Sequence, residues 1–133
     1  MSDGGLSAVS ELLGILTRGH PNVLLIGPES ATAHALDRIQ VHLHLPIEAW
    51  SPADARALPN GQAGTLLIPS IDKADDDQQS QLSAWLDSRL GLVQVVALSV
   101  APLFPLVERG IFLAQLYYRL NQICVDLTGV QES

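Results

Sequence analysis

Short apolar runs, separated by stretches with helical spacing, constrain the fold of this chain most strongly. The clearest run is Val23–Ile26, which is closed by Gly27 and Pro28. Continuous apolar runs of this length indicate strands that are buried on both faces, as in a parallel sheet. A weaker run at His44–Trp50 predicts a second, shorter strand. The other three strands are predicted at Gly64–Ile68, Val93–Val100 and Ile123–Leu127.

Helices are predicted around these strands, because apolar side chains recur there on one helical face. Ser51 and Pro52 have the residue types of an N-cap and a first helical position, which predicts one further short helix. Strands alternating with helices predict an α/β domain of three layers, with a five-stranded, mainly parallel sheet between helices. The main helical segments are residues 6–17, 30–41, 75–90, 102–109 and 112–120.

A chain of 133 residues with 47% hydrophobic and 16% charged residues is typical of a single globular domain. Within it we expect an N-terminal helix and turn at residues 1–22, an α/β core at residues 23–128 and a tail at residues 129–133.

The charge balance argues against direct binding to nucleic acid. The chain has 14 Asp and Glu against 7 Lys and Arg, a formal net charge of −7, and its basic residues are scattered singly. Affinity for a phosphate backbone depends on clustered Lys and Arg. The partners expected for such a surface are therefore proteins.

Cys124 is the only cysteine, and its position in an apolar strand predicts a buried core thiol. A single thiol suits a reducing compartment. No segment approaches the roughly 20 apolar residues that a membrane-spanning helix needs, and the first residues lack the basic region of a signal peptide. We therefore expect a cytoplasmic location without membrane association.

Two groups of residues resemble metal ligands. His34, His42 and His44 could combine with Glu48, but only His42 and His44 would share a face, and only within a strand. The acidic run Asp75–Asp77 is better explained as a solvated helix start, because adjacent carboxylates point in different directions around a helix. No metal site is predicted.

A family resemblance rests on residues 106–121, which read LVERGIFLAQLYYRLN. This segment is similar to V-x-x-G-x-F-R-x-D-L-Y-Y-R-L-N in sigma-54-dependent transcriptional activators. Gln79, Leu82 and Leu86 match the family's Q-x-x-L-x-x-x-L helix, and Gly64–Ile68 resembles its G-T-L-F-L strand. The similarity covers residues 23–127. It implies a P-loop NTPase core of the AAA+ type, which in that family remodels sigma-54 RNA polymerase by hydrolysing ATP in a ring.

Against that family pattern, the phosphate loop of this chain has lost its characteristic residues. Pro28 and Ala33 replace glycines that let backbone N–H groups approach phosphates, and His34 replaces the phosphate-binding Lys. Ser30 is expected to be the N-cap of the following helix. The stretch that aligns with the loop is Pro28, Glu29, Ser30, Ala31, Thr32, Ala33 and His34.

The remaining catalytic positions are also changed. Pro69 and Ser70 stand where the family has the Asp-Glu pair for Mg²⁺ and water, and Leu113 stands where it has the first Arg finger. Residues 51–63 are too few for the loop that contacts sigma-54, and the helical lid is expected to be absent. The resemblance therefore implies a pseudo-ATPase without a cofactor.

Together these features predict a non-catalytic AAA+-like module that regulates transcription through protein contacts, with a sigma-54 activator ring or a second copy of itself as partner. Packing of the last helix on the sheet, or an interface, is the favoured role of the segment around Tyr117. The alternative is an ATP-binding domain with a rebuilt phosphate loop and no hydrolysis. The candidate interface residues are Phe112, Tyr117, Tyr118 and Arg119.

Overall fold

The computed structural model describes residues 3–54, 56–60, 64–89 and 91–129. Its centre is a five-stranded sheet in which all neighbouring strands are parallel. The order across the sheet is β2-β3-β4-β1-β5, so β1 lies between β4 and β5. The predicted parallel sheet of five strands is confirmed. The strands are β1 (Val23–Ile26), β2 (Ile47–Ala49), β3 (Thr65–Ile68), β4 (Gln94–Ser99) and β5 (Ile123–Asp126).

Helices cover both faces of this sheet and complete the predicted three layers. Buried side chains of α1 and α2 form one core with one face of β1, and those of α3 and α5 form a second core with the other face. Among the described residues, no helix has the length and apolar character needed to cross a bilayer. The helices are α1 (Asp3–Leu16), α2 (Glu29–Ile39), α3 (Asp76–Asp87), α4 (Phe104–Glu108) and α5 (Ala114–Leu120).

The central strand β1 supplies side chains to both cores. Leu24 and Ile26 belong to the core under α3 and α5, whereas Val23 and Leu25 belong to the core under α1 and α2. This division follows from the period of two along a strand. All four side chains are at most 5% exposed. Burying each of these side chains stabilises the fold by roughly 1.5–3 kcal/mol. The continuous apolar run therefore indicates a strand in the middle of the sheet.

A capping box fixes the start of α3. Asp75 Oδ1 accepts a hydrogen bond from the Gln78 N–H at 2.8 Å, and Gln78 Oε1 accepts one from the Asp75 N–H at 3.0 Å. Asp76 and Asp77 occupy the first turn, where the helix dipole favours negative charge. The interpretation of the acidic run as a helix start is therefore confirmed.

A turn follows β2, and the short helix predicted to begin at Ser51 and Pro52 is wrong for the described residues. Ser51 Oγ accepts a hydrogen bond from the Ala53 N–H at 3.2 Å, and the Asp54 N–H bonds to the Ser51 carbonyl at 3.0 Å. The groups that usually start a helix are satisfied within this one turn.

Close packing of two segments explains the glycine that precedes β3. A Cβ on Gly64 would overlap the carbonyl group of Leu45, and the Gly64 N–H donates to the Pro46 carbonyl at 2.9 Å. A side chain at this position would push β3 away from the segment that leads into β2.

Cys124 is exposed, so the prediction of a buried core thiol is wrong. The reason is the position of β5, which pairs with β1 and is the last strand on its side of the sheet. Only one of its faces is well covered: the next residue, Val125, packs into the core under α1 and α2 and is 5% exposed.

Candidate functional site

The candidate site lies at the carboxyl ends of the central strands. In parallel α/β sheets, ligands bind at this edge, beside the strand where the chain order reverses. Here that strand is β1, which has β4, β3 and β2 on one side and β5 on the other. A pocket of about 270 Å³ opens at this point. Six of its lining residues are Glu29, Thr32, Ala33, Pro69, Ser70 and Ser99.

Five of these six residues belong to the degenerate nucleotide site predicted from the sequence. The fold brings the start of α2 next to the residues that follow β3, although the two segments are about 40 positions apart. Ser99, at the end of β4, was not among the predicted site residues. Ser99 lines the pocket because it pairs with Ile26, the last residue of β1.

The connection between β1 and α2 is only two residues long. β1 ends at Ile26 and α2 begins at Glu29, leaving Gly27 and Pro28 between them. Gly27 has a φ of +151°, and a Cβ there would lie 3.0 Å from the Cβ of Leu127. This glycine therefore serves close packing against the end of β5. The two-residue connection forms no loop that could surround a phosphate.

Pro28 is the N-cap of α2, with φ of −55° and ψ of 148°, and no side chain caps the helix. The prediction that Ser30 is the N-cap is wrong. The ring of Pro28 fixes its φ, its backbone is extended, and α2 begins at the next residue, Glu29. The Thr32 N–H then closes the first turn on the Pro28 carbonyl at 3.0 Å. Ser30 is exposed, and Ala31 is buried in the core under α1 and α2.

Two of the three hydroxyl groups in the pocket bind the protein's own backbone. Thr32 Oγ1 donates to the carbonyls of Pro28 and Glu29, at 3.4 and 3.2 Å, and the Ser99 hydroxyl donates to the Ala101 carbonyl. Groups that are satisfied internally contribute little to binding a ligand. Among the side-chain hydroxyls of the described pocket residues, only that of Ser70 is therefore available to a ligand.

Ser70 adopts a left-handed conformation directly after β3, with φ of 58° and ψ of 46°. This conformation costs a non-glycine residue roughly 1–2 kcal/mol. The strained residue stands beside Pro69, where the related family has its Asp-Glu pair. It begins a short 3-10 turn in which the Lys73 N–H bonds to the Ser70 carbonyl at 3.0 Å.

The electrostatics of the pocket oppose a nucleotide. Glu29 places a carboxylate in the first turn of α2, where a phosphate would otherwise benefit from the helix dipole. No Lys, Arg or His is among the lining residues in the described part of the chain. His34 lies in the second turn of α2, is exposed and does not line the pocket.

Leu113 lies away from this pocket, at the N-cap of α5, and is 38% exposed. Its backbone N–H donates to Gln79 Oε1 at 2.8 Å. Gln79 is 1% exposed, and its Nε2 donates to the carbonyls of Ala74 and Ile111 at 2.9 and 3.0 Å. The predicted site residues did not include Gln79. Its sequence signal is a polar residue at the start of an apolar helical face.

The candidate interface residues occupy different environments. Phe112 is 3% exposed and packs in the core, whereas Tyr118 is 63% exposed. Tyr117 is half-buried and lies between Phe104 and Tyr118, with ring centroids 5.8 and 5.2 Å apart. Arg119 forms an ion pair with Asp87 at 2.6 Å.

The histidines do not form a metal centre in the part of the chain that the structure describes. There, no group of three or more His, Cys, Asp or Glu side chains could hold an ion. His34 and His44 are exposed and His42 is half-buried.

Comparison with known proteins agrees with this architecture. The family model described as Sigma-54 interaction domain matches residues 7–130. A search of curated protein sequences gives no match. Among solved structures, NtrX from Brucella abortus in complex with ADP is 11% identical, with a TM-score of 0.67 over 93% of this chain and 35% of NtrX. The Drosophila ORC structure bound to AT-rich DNA and Cdc6 contains a chain that is 12% identical, with a TM-score of 0.58 over 96% of this chain and 55% of that one.

These structural similarities concern the fold, and this chain spans about a third of the length of NtrX. The family match, in contrast, extends over nearly the whole sequence and includes both residues 28–34 and the Leu-Tyr-Tyr-Arg-Leu-Asn segment. The chain therefore belongs to the sigma-54 interaction domain family.

Proposed function

We propose that this chain is a non-catalytic AAA+-like module that regulates transcription through protein–protein contacts, with a sigma-54 activator ring as its partner. The observation that carries the proposal is the two-residue connection between β1 and α2. Without a loop of free N–H groups, a Lys and a pair of carboxylates, the site cannot position a triphosphate, Mg²⁺ and the attacking water. The retained sheet and helices then serve as a scaffold.

The surface proposed for the partner lies around α4 and α5. Tyr118 and Phe104 flank the half-buried Tyr117, and Ile111 and Leu113 lie on the loop between these helices. These exposed side chains are between 38% and 63% accessible. Exposed aromatic and aliphatic residues of this kind often anchor protein interfaces.

Mixing experiments with an active sigma-54 activator test this function. We expect the chain to co-migrate with the activator in native gels and to change its ATPase rate. Tyr118→Ala should weaken both effects, because it removes the most exposed aromatic ring of this surface. Val41→Ala, at a 79% exposed residue that follows α2, is the matched control. An unchanged ATPase rate together with separate migration would contradict the proposal.

Nucleotide binding without hydrolysis is a second candidate. It is favoured by the open pocket at the start of α2, where no internal hydrogen bond engages the Ser70 hydroxyl among the described residues. The Glu29 carboxylate opposes it. A saturable rise in melting temperature with ATP, ADP or GTP that Ser70→Glu abolishes would support this candidate over the first, because a ligand that binds only the folded state stabilises it.

A further inference from the structure

A second pocket, of about 440 Å³, lies at the opposite edge of the sheet from the candidate nucleotide site. It is built from residues that precede strands: Asn22 before β1, His44 before β2, and Gln122 before β5, together with Gln94 at the start of β4. The volume is within the range of small-molecule sites, roughly 300–1,000 Å³. It is larger than the pocket at the carboxyl edge.

The charge of this pocket differs from that of the chain. Arg89 and Arg119 line it together with His20 and His44, and no Asp or Glu is among the described lining residues. The whole chain, in contrast, carries a formal net charge of −7. Asp87 pairs with Arg119 at 2.6 Å, but the Asp87 side chain is 61% exposed and does not line the pocket.

Arg89 keeps its full charge available. In the described residues no carboxylate lies within ion-pair distance of its guanidinium group. The group lies 4.1 Å from the centre of the Trp85 ring, and one of its nitrogens donates to the Ser88 hydroxyl at 3.0 Å. Stacking holds the guanidinium plane in place and leaves further N–H groups for a ligand.

The side-chain amide oxygens in the pocket are already engaged by the protein. Asn22 Oδ1 accepts from the Val95 N–H at 2.8 Å, and Gln122 Oε1 accepts from the Asn22 N–H at 2.7 Å. Gln94 Oε1 accepts a longer bond, 3.4 Å, from the His44 N–H, and the nearby Thr65 hydroxyl donates to the His44 carbonyl at 2.6 Å. The donors that remain are the Arg89 guanidinium, the two imidazoles and the Gln122 amide. Each neutral imidazole also carries one acceptor nitrogen, so the pocket suits a ligand that brings mainly acceptors.

The pocket also has an apolar wall. Leu86, Leu92 and Val93 line it, and Leu92 is 71% exposed. A free inorganic ion would leave this wall in contact with water, whereas an organic anion would cover it.

From these observations we propose that the pocket at the amino-terminal edge of the sheet binds a small organic anion, whose phosphate or carboxylate group contacts Arg89 and the His20–His44 pair. The ring centroids of His20 and His44 are 5.0 Å apart. An anion beside these rings would interact favourably with both N–H donors. Because this site is separate from the carboxyl-edge pocket, it stands independently of the function proposed above.

Histidine NMR signals of the full chain test this site without any substitution. We expect phenyl phosphate or benzoate, added at constant pH and ionic strength, to shift the His20 and His44 signals along a saturable curve. His34, exposed on α2, is the internal control and should not shift. The ligand that saturates at lower concentration identifies the preferred anionic group. Equal, non-saturating shifts at all four histidines, or no shift at millimolar ligand, would overturn the proposal.

A pair of arginine variants provides the second test. Arg89→Gln should weaken binding of the tighter probe at least about tenfold, the usual effect of losing a charge-assisted hydrogen bond. Arg109→Gln makes the same change of charge at an exposed residue outside the pocket and should leave the affinity unchanged. Equal losses in the two variants would indicate general charge attraction and contradict a built site.

Discussion

The Oε1 atom of Gln79 accepts a hydrogen bond from the backbone N–H of Leu113 at 2.8 Å. This bond ties the start of α3 to the residue that begins α5, across the layer that covers one face of the sheet. In the related family, the Leu113 position carries an Arg finger. The buried amide thus fixes the local structure of the segment that resembles this part of the family pattern.

Replacing this amide should destabilise the fold. Gln79→Ala leaves the Leu113 N–H and the carbonyls of Ala74 and Ile111 without their partner and opens a small cavity. We expect the free energy of unfolding to fall by about 2–4 kcal/mol. Urea denaturation measures this change. Gln81→Ala, at an exposed position of the same helix, should stay within about 0.5 kcal/mol, and equal losses in both variants would disprove the role of the buried amide.

Cys124 should be accessible to reagents yet slow to react. Its pKa is raised by desolvation and, to a lesser extent, by the charge of Asp126. Since the thiolate is the reactive form, labelling with a chromogenic disulfide at pH 7.5 should be slower than for an unstructured thiol and should accelerate as the pH rises. Asp126→Asn should increase the rate, whereas Asp54→Asn should not. Labelling of the native chain as fast as the free thiol would contradict this prediction.

Alkaline pH should destabilise the chain through Tyr117. Desolvation, followed by the charges of Cys124 and Tyr118, raises the pKa of its hydroxyl, while the hydrogen bond with Asn121 lowers it. The folded state therefore holds this proton more tightly than the unfolded state. The contribution of Tyr117 to the free energy of unfolding is complete below the pKa of the unfolded state, about 10. It is lost as the pH rises through the higher pKa of the folded state.

Unfolding free energies measured between pH 8 and 11 test this sign. Tyr117→Phe should make the decline with pH shallower, because phenylalanine has no proton to lose. Tyr118→Phe, at a mostly exposed residue, should reduce the slope less than Tyr117→Phe, because it removes only one of the lesser causes of the raised Tyr117 pKa. A decline that remains equally steep in Tyr117→Phe would exclude this tyrosine as its source.

The apolar runs and helix signals predicted the layers well, because burial on both faces leaves a continuous apolar strand. The run at Val23–Ile26 and the acidic start at Asp75 are the clearest cases. The edge position of β5 could not be read from the run that contains Cys124, since strand order depends on contacts between distant segments. The second pocket could not be predicted for the same reason, because its residues His20, His44, Arg89 and Arg119 come together only in the folded chain.

Two predicted helix starts were wrong because neighbouring backbone groups or residues had already taken the role that the sequence suggested. Ser51 and Pro52 have the residue types that start helices, yet their groups are satisfied in a turn. Ser30 has the side chain of an N-cap, but Pro28 already fixes the backbone that starts α2. The residues at 28–34 predicted a changed phosphate loop, whereas the two-residue connection between β1 and α2 appeared only in the fold.

Restoring the lysine alone should not restore the site. His34→Lys would place an ammonium group on the exposed second turn of α2, outside the residues that line the pocket. We expect no binding of a fluorescent ATP analogue by this variant or by the double variant Ala33→Gly/His34→Lys. Saturable binding by the lysine variant alone would show that only the cation was missing.

Calorimetric titration of the unmodified chain with Mg·ATP tests most directly whether the scaffold has lost its nucleotide. The two-residue connection before Glu29 predicts that the carboxyl-edge pocket gives no saturable heat up to millimolar concentrations. A saturable isotherm with a Kd below about 1 mM, equivalent to roughly −4 kcal/mol, would contradict the account if Ser70→Glu abolished it and Arg89→Gln, in the second pocket, did not.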